Sequence, residues 1–206
     1  KMEEFKNLPT EYSHLYLAIE NKLSAVILIE DPLRREAVKT IKKLKKLGIS
    51  KVVMMTGDSE RTAKAIAKKV GVDEYYSEVL PEDKAKFVEK EVDAGRCVIM
   101  VGDGINDSPA LSKADVGIAI SNGAQVAREI ADITVDGEDL EQIVTLIKIS
   151  KKLMKKIHRN YREIVGINSA LIILGVAGVL PPTTSALLHN TSTLAIGLNS
   201  MKDLEI

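Results

Sequence analysis

The sequence predicts an α/β fold, in which a parallel sheet has helices on both faces and is followed by two transmembrane helices. Three observations support this prediction. Short apolar strands alternate with amphipathic helical segments, which requires crossover connections and therefore parallel strands. Polar and glycine residues follow the ends of those strands. A run of basic residues then separates the alternating region from two uncharged segments.

The first part of the chain, residues 1–30, has the pattern of short strands. Apolar residues dominate Leu15–Ile19 and Ala25–Ile29, and the polar triplet Glu20-Asn21-Lys22 between them is typical of a turn. We therefore predict two short strands joined by a turn.

The alternating region begins near Asp31. Pro32 is expected to open a helix that ends at Gly48, because the apolar residues between them recur at helical spacing. A strand at Val52–Met55 and a helix ending at Gly71 follow. The same alternation continues, with helices predicted at 82–94, 108–114, 126–131 and 140–153 and strands at 97–101 and 116–120.

The composition is that of a globular chain with an ordinary core. Apolar residues make up 45% of the 206 residues, and 29 Lys and Arg balance 29 Asp and Glu, so net charge does not favour nucleic acid as a partner. The single cysteine, Cys97, lies in an apolar run and is predicted to be a core residue. The chain opens abruptly, without a signal-peptide pattern, as expected of a piece of a larger protein.

The membrane prediction depends on the region after residue 147. Seven basic residues and no carboxylate occur in 148–162, and the uncharged segments 164–180 and 183–201 follow on either side of Pro181-Pro182. Each segment is near the lower limit of about 20 residues for a spanning helix, and a basic flank marks the cytoplasmic side. We therefore predict a multi-pass membrane protein with a cytoplasmic soluble domain. The alternative is an apolar helical hairpin packed on a soluble core.

Three polar groups are expected at the carboxyl-terminal edge of the sheet, where the active sites of parallel sheets lie. They are Thr56-Gly57-Asp58, Pro81-Glu82-Asp83-Lys84 and the segment from Gly102 to Asp107. Asp103 and Asp107 supply hard oxygen ligands that suit Mg²⁺. The Thr56 hydroxyl with nearby backbone amides suits a phosphoryl oxygen, and Lys84 supplies a positive charge. Together they predict a phosphoryl-transfer site.

Each of these groups has a plainer explanation when it is taken alone. Gly102 and Gly104 occur in ordinary strand-to-helix turns, and the lack of a third glycine at position 107 excludes the dinucleotide-binding fingerprint. Thr56 would serve as a helix cap and Lys84 as a solvated surface lysine. The order and spacing of all three groups at successive strand ends favour the functional interpretation.

Longer strings allow a comparison with known families. They are Asp31-Pro32-Leu33-Arg34, Thr56-Gly57-Asp58, Asp83-Lys84, Gly102-Asp103-Gly104-Ile105-Asn106-Asp107-Ser108-Pro109-Ala110-Leu111 and Asp115-Val116-Gly117-Ile118-Ala119. These strings resemble the P-type ATPases, which belong to the haloacid-dehalogenase-like group with its Rossmann-like sheet. Two uncharged helices directly after the domain resemble the heavy-metal-transporting branch. The resemblance implies the end of a nucleotide-binding domain at 1–30, part of a phosphorylation domain at 31–158 and two membrane-spanning helices at 159–206.

The resemblance also implies roles for individual residues, with Mg²⁺ as cofactor and ATP as the substrate of the whole enzyme. The catalytic set would be Thr56, Gly57, Asp58, Lys84 and Asn106, and the Mg²⁺ ligands Asp103 and Asp107. The path of a transition-metal cation would be lined by Asn168, His189, Asn190, Ser192 and Asn199. An imidazole favours a first-row transition metal over calcium or sodium. An interhelical hydrogen bond is the alternative role for His189.

One part of the family's site is absent from this sequence. The family's nucleophilic aspartate lies in an Asp-Lys-Thr-Gly-Thr segment, and the 206 residues contain none. Asp31 follows an apolar strand, but it precedes proline and lacks the threonine at the fourth position. Because the missing strand would lie in the middle of the fold, we expect a partner that supplies it, either a missing amino-terminal half or a full-length pump.

Three functions follow from these observations. The first is the carboxy-terminal part of an ATP-driven transition-metal cation transporter. The second is a stand-alone phosphatase, which is disfavoured because it requires an Asp-x-Asp pair before residue 56 and none is present. The third is a non-catalytic, membrane-tethered module that binds or regulates a full-length pump. Without the nucleophile, the sequence leaves open whether this chain alone is an enzyme.

Overall fold

The computed structural model describes residues 8, 12–29, 33–103, 106–120, 129–136 and 139–203. Its contacts divide the chain into two units, Lys1–Val144 and Thr145–Ile206. Three features of the sequence lie outside the described residues, namely Asp31-Pro32, Gly104-Ile105 and residues 126–128 of a predicted helix. The prediction that Pro32 opens the first helix is wrong, because residues 33–36 are not helical and the helix begins at Ala37. The three-part domain division given above stays a prediction.

The first unit begins with an antiparallel hairpin of β1 (Ser13–Ile19) and β2 (Lys22–Ile29). The turn residues Glu20 and Asn21 have φ angles of 50° and 59°, as a two-residue hairpin turn with left-handed central residues requires. The predicted strand pair and its turn are therefore confirmed.

Five further strands form parallel ladders. They are β3 (Val53–Met55), β4 (Glu74–Tyr76), β5 (Ile99–Gly102), β6 (Val116–Ile120) and β7 (Ile133–Val135). Within the described strands, β3 pairs with β4, and β5, β6 and β7 form a separate ladder. Parallel pairing confirms the α/β, parallel-sheet part of the predicted fold class. The strands β4 and β7 were not predicted, because three-residue strands are too short to show an alternating pattern.

Helices separate these strands along the chain. They are α1 (Ala37–Lys46), α2 (Glu60–Val70), α3 (Pro81–Asp93) and α4 (Ser108–Leu111). Gly48 and Gly71, at φ 92° and 81°, follow α1 and α2 in the left-handed conformation that ends many helices. Both helix ends were predicted from these glycines.

The core of the first unit lies where α3 and α4 pack against β5 and β6. Its buried side chains are Val88, Met100, Ala110, Leu111 and Ala119. Met55 of β3 packs against the same cluster, so the two parallel ladders share one core. A Cβ at Gly117 would lie 2.7 Å from the Leu111 carbonyl oxygen, so only glycine lets the end of α4 pack this closely on β6.

The predicted burial of Cys97 is wrong, because its side chain is exposed. The strand β5 begins at Ile99, two residues after the start that the apolar run suggested. The backbone N–H of Val98 donates to the Asp115 carboxylate at 2.8 Å, so this segment leads into the strand and lies outside the core.

The second unit contains most of α5 (Glu141–Val176) and α6 (Pro182–Ser200). No helix in the described part of the chain combines the length and the apolar character that crossing a membrane requires. The predicted spanning helices are therefore not confirmed. The helix α5 ends at Val176, before the uncharged segment does, and α6 carries polar residues along much of its length.

The two helices of the second unit place polar groups between them and apolar groups outside. Asn168 Oδ1 accepts from His189 Nδ1 at 2.8 Å, and the Asn160 amide donates to the Ser200 hydroxyl at 2.9 Å. In contrast, large apolar side chains are 66% exposed at Ile172, Ile173 and Leu187 and 86% exposed at Val176. This arrangement is the reverse of that in a helix pair whose outer surface faces water.

A charge cluster joins α1 to the start of α5 within the first unit. The Glu141 carboxylate accepts from Lys43 at 2.8 Å and from Lys39 at 3.0 Å. The hydrogen bond from Lys43 has the largest effect and that from Lys39 the next, and together they lower the pKa of Glu141 from 4.5 to about 2. The lowered pKa makes this contact sensitive to acid.

We predict that Leu111→Ala lowers the free energy of unfolding by about 3 kcal/mol, because it leaves a cavity in the shared core. Urea denaturation would measure the change. Leu80→Ala is the matched control, since Leu80 is 64% exposed, and it should change stability by less than about 0.5 kcal/mol. Equal effects of the two substitutions would contradict the assignment of the core.

We predict that the interaction of Glu141 with Lys43 stabilises the fold above pH 4.5 and disappears as the pH falls through about 2, because the folded-state pKa is lowered from 4.5 to about 2. A double-mutant cycle of Glu141→Gln and Lys43→Gln, followed by thermal unfolding from pH 2 to 7, measures this coupling. Coupling that persists unchanged at pH 2 would show that charge on Glu141 is not its source.

Candidate functional site

The Thr56-Gly57-Asp58 loop follows β3 and is held by the segment that follows β4. The Thr56 N–H donates to the Tyr76 carbonyl at 3.0 Å, and the Val79 N–H donates to the Thr56 carbonyl at 3.0 Å. The Glu78 N–H also donates to the Asp58 carbonyl at 2.9 Å. Backbone bonds on both sides of the loop therefore fix its position at the end of the β3–β4 ladder.

The hydroxyl of Thr56 is oriented by its neighbour Asp58. It donates to Asp58 Oδ2 at 2.7 Å and accepts from the Asp58 N–H at 3.1 Å. Thr56 is half-buried, whereas Gly57 and Asp58 are exposed. A hydroxyl held in this way can donate to a phosphoryl oxygen after it turns away from the carboxylate, while Asp58 stays bound to the loop.

Lys84 and Asp107 form the least exposed ion pair among the described residues. The Lys84 ammonium donates to Asp107 Oδ1 at 2.8 Å, and the two side chains are 16% and 13% exposed. Lys84 lies in the first turn of α3, and Asp107 is the residue before α4. The pair therefore brings together two of the three segments that the sequence placed at this edge.

Gly102 allows the Asp107 carboxylate to lie against the end of β5. A Cβ at Gly102 would be 2.5 Å from Asp107 Oδ2, which is far closer than real side chains approach. From the sequence, Gly102 was predicted only to be part of a turn. The structure shows that its lack of a side chain makes room for a site carboxylate.

Asp103 and Asn106 lie in the same segment and are exposed. The Asn106 N–H points to Asp103 Oδ1 at 3.4 Å, the outer limit of a hydrogen bond. The described residues contain no cluster of three or more His, Cys, Asp or Glu that could hold a metal. Two carboxylates still fit Mg²⁺, which keeps several waters and commonly takes one or two carboxylates together with phosphate oxygens.

Glu60 is a residue at this edge that the sequence analysis did not select. Its carboxylate accepts from the Ser77 hydroxyl and from the Tyr75 hydroxyl, both at 2.7 Å. These bonds lower the pKa of Glu60, and the bond to Glu60 raises the pKa of Tyr75. They join the first turn of α2 to the end of β4 and so brace the Thr56 loop. The sequence feature that could have identified Glu60 is its position two residues after Asp58.

The proposed metal-path residues lie in the second unit. The His189 ring and the Asn168 side chain are in contact at 2.8 Å, as the sequence analysis allowed for an interhelical pair. The Ser192 and Thr193 hydroxyls both donate to the His189 carbonyl. Asn190 has an exposed side chain. The structure therefore brings Asn168 and His189, two of the residues predicted to contact the transported ion, into direct contact.

Comparison with known proteins identifies the family of the first unit. A family model described as haloacid dehalogenase-like hydrolase matches residues 2–115, and a second with the same description matches residues 87–147. The first match covers more than half of the chain. It includes the Thr56 loop and the Lys84–Asp107 pair.

Curated relatives export several different metals. The chain is 39% identical over 189 residues to a zinc-exporting P-type ATPase of Mycobacterium marinum, covering 91% of this chain and 26% of the relative. It is 41% identical over 196 residues to a copper-exporting P-type ATPase of Staphylococcus epidermidis, covering 93% and 25%. A manganese-exporting P-type ATPase of Mycobacterium tuberculosis is 39% identical over 189 residues, covering 91% and 26%. The chain thus spans about a quarter of their length.

A solved structure matches nearly the whole chain and identifies the same group. A zinc-transporting PIB-type ATPase in its E2.Pi state superposes with a TM-score of 0.81 at 30% identity, covering 97% of this chain and 32% of that one. The chain therefore belongs to the haloacid dehalogenase-like hydrolases and is homologous to the catalytic region of metal-transporting P-type ATPases.

Proposed function

We propose that this chain supplies the phosphate- and Mg²⁺-binding half of an aspartyl-phosphate site in a transition-metal-exporting ATPase. The observation that best supports this proposal concerns the strands β3 and β5, which Thr56 and Asp103 follow. The two strands pack on the same core but are not hydrogen-bonded in the same ladder. In the complete protein, a strand carrying the nucleophilic aspartate would lie between them. That strand would pair with both and bring its aspartate to the edge where the Thr56 loop and the Lys84–Asp107 pair lie.

The reaction proposed for the complete site is phosphoryl transfer from ATP to that aspartate. A carboxylate oxygen attacks the γ-phosphorus, an oxygen–phosphorus bond forms, and the bond to the β,γ-bridging oxygen breaks, so ADP leaves with the electron pair. Water later attacks the acyl phosphate and releases inorganic phosphate. In this chain, the Lys84 ammonium and the Thr56 hydroxyl bind the transferring oxygens.

The contacts of Lys84 suit this role. Its ammonium is held by Asp107 at 2.8 Å before any phosphate binds, so its position does not have to be selected from many rotamers. Asp103 and Asp107 would hold Mg²⁺, which neutralises charge on the phosphate. Gly57 and Asp58 would keep the Thr56 hydroxyl at the strand end, and Asn106 would orient Asp103.

We further propose that the second unit belongs to the membrane part of the complete protein. The polar groups between α5 and α6 and the exposed apolar groups outside them suit a surrounding of apolar helices and lipid. Asn168, His189 and Asn190 would then contact the transported cation. Residues 1–30 would end the nucleotide-binding domain, and 31–158 and 159–206 would form the phosphorylation and membrane parts.

We predict that a fusion of this chain to an amino-terminal half bearing Asp-Lys-Thr-Gly-Thr forms an acid-stable, hydroxylamine-sensitive phosphoenzyme from γ-labelled ATP and Mg²⁺. Lys84→Ala should slow labelling by about 100-fold, because it removes the charge that stabilises the transferring phosphoryl group. Quench-flow measurements with acid stops would give the rates.

Lys86→Ala is the matched control for this experiment. Lys86 lies two residues further along α3 and is 71% exposed, so its removal should change the rate by less than about twofold. Label attached to residues 1–206 would overturn the proposal, because the nucleophile would then lie within this chain. A well-folded fusion without label would favour the non-catalytic regulatory module.

We predict that Pro182→Cys, in the fusion protein inserted in sealed vesicles, reacts with an impermeant thiol reagent only from the non-cytoplasmic side. The basic residues before position 164 favour a cytoplasmic start for the helix pair, so the connection between the helices would face outside. The exposed Cys97 serves as an internal control that should react only from the cytoplasmic side. Reaction of both cysteines from the same side would contradict the proposed topology.

A further inference from the structure

The basic residues at the start of the second unit lie on one face of α5. They are Lys148, Lys151, Lys152, Lys155, Lys156, Arg159 and Arg162. At about 100° per residue, their spacing confines them to an arc of roughly 140° over a length of about 20 Å. No carboxylate occurs in 148–162, and the next residue on this face, Glu163, lies 3.9 Å from Arg159. We call this cationic strip the basic face.

The opposite face of the same segment is apolar and accessible. Leu153, Met154, Ile157 and Tyr161 are 43%, 50%, 48% and 66% exposed. A helix with one face of Lys and Arg and an accessible apolar face is typical of binding at a membrane surface. The segment 148–162 is therefore amphipathic in a way that the count of basic residues alone did not reveal.

Contacts between the helices set the position of the basic face relative to the uncharged part of the pair. The Lys156 ammonium donates to the carbonyl of Lys202, and Asn160 donates to Ser200 at 2.9 Å. Both contacts hold the basic face beside the carboxyl end of α6. The exposed apolar residues Ile172 and Val176 lie about 15 Å or more further along α5 from Arg162.

We propose that the basic face of α5 binds the phosphate groups of anionic phospholipids. This inference rests on the proposed function, because it requires the second unit to lie in a membrane. Clusters of four to eight Lys and Arg directly beside a membrane segment attract anionic headgroups, with about 1 kcal/mol per cation, or about fivefold in affinity.

The surroundings of the basic face favour lipid over other anions. An acidic protein segment would match its charge but not the accessible apolar surface that continues beyond Arg162 at Ile172, Ile173 and Val176. A phospholipid matches both surfaces, because its phosphate would lie against the basic face and its acyl chains against the apolar residues beyond Arg162. Free phosphate would match only the charge, and a strip about 20 Å long exceeds the size of a single ion.

The test uses a tryptophan reporter, because the chain contains no tryptophan. Ile164→Trp places it two residues after the last cation of the basic face. The full 206-residue chain would be reconstituted into bilayers with brominated phosphatidylcholine or brominated phosphatidylglycerol, and quenching of the tryptophan would give the relative binding constant of the two lipids. We expect about a fivefold preference for phosphatidylglycerol, which weakens as salt is raised.

Two triple variants test whether the basic face is the source of the preference for phosphatidylglycerol. Replacing Lys148, Lys155 and Arg162 by glutamine should reduce the preference from about fivefold to about twofold, because three of the seven cations are removed. The matched control replaces Lys64, Lys68 and Lys69 of α2 by glutamine, which makes the same change in net charge on exposed residues of the first unit. This control should retain the full preference.

The outcomes separate this inference from the proposed function. Absence of quenching by either lipid would overturn both, because the second unit would not contact lipid. Equal quenching by the two lipids would leave the membrane placement intact and overturn the inference. A preference that stays undiminished in the basic-face variant would also overturn it. A preference that millimolar inorganic phosphate abolishes would identify a phosphate ion as the ligand in place of lipid.

Discussion

The ion pair between Lys84 and Asp107 determines the arrangement of the candidate site. It joins the segment after β4 to the segment after β5, across 23 residues of sequence, with both side chains largely withdrawn from water. Charges in such a position are stable only when they are paired, so each residue fixes the other. Gly102 makes the arrangement possible, because any side chain there would displace the Asp107 carboxylate. The positive charge and the carboxylate that the proposed phosphoryl transfer requires are therefore held together in this chain.

The core explains how two separate ladders can form one edge. Met55 of β3 packs against the cluster that contains Met100 of β5, so apolar contacts keep the ladders near each other. Their backbones do not pair within the described strands. Strand edges carry backbone donors and acceptors that favour an added strand. In the proposed complete protein, the strand that satisfies these groups also carries the nucleophile, so folding and assembly of the active site would be the same event.

The second unit has a different organisation, because polar side chains are hydrogen-bonded between its helices while large apolar side chains are exposed. Hydrogen bonds of Asn160 and His189 join α5 to α6, and isoleucines and valines cover much of the outer surface. In water this arrangement exposes apolar area at a cost, whereas in an apolar surrounding it satisfies the polar groups and solvates the rest. This organisation agrees with the proposed membrane placement of the second unit. In the proposed membrane placement, the basic face would mark the end of the pair at which charge meets water.

Local patterns in the sequence determined the parallel α/β fold, the helix ends at Gly48 and Gly71 and the polar segments around Thr56, Lys84 and Asp107. These features depend on residues close together in the chain, whose spacing reports helix or strand directly. Only the tertiary structure decided the exposure of Cys97, the bracing of the Thr56 loop by Glu60, the approach of Asp107 to Gly102 and the division of the sheet into two ladders. Each of these depends on where segments meet in space, and that is set by packing between distant parts of the chain, which local periodicity does not encode.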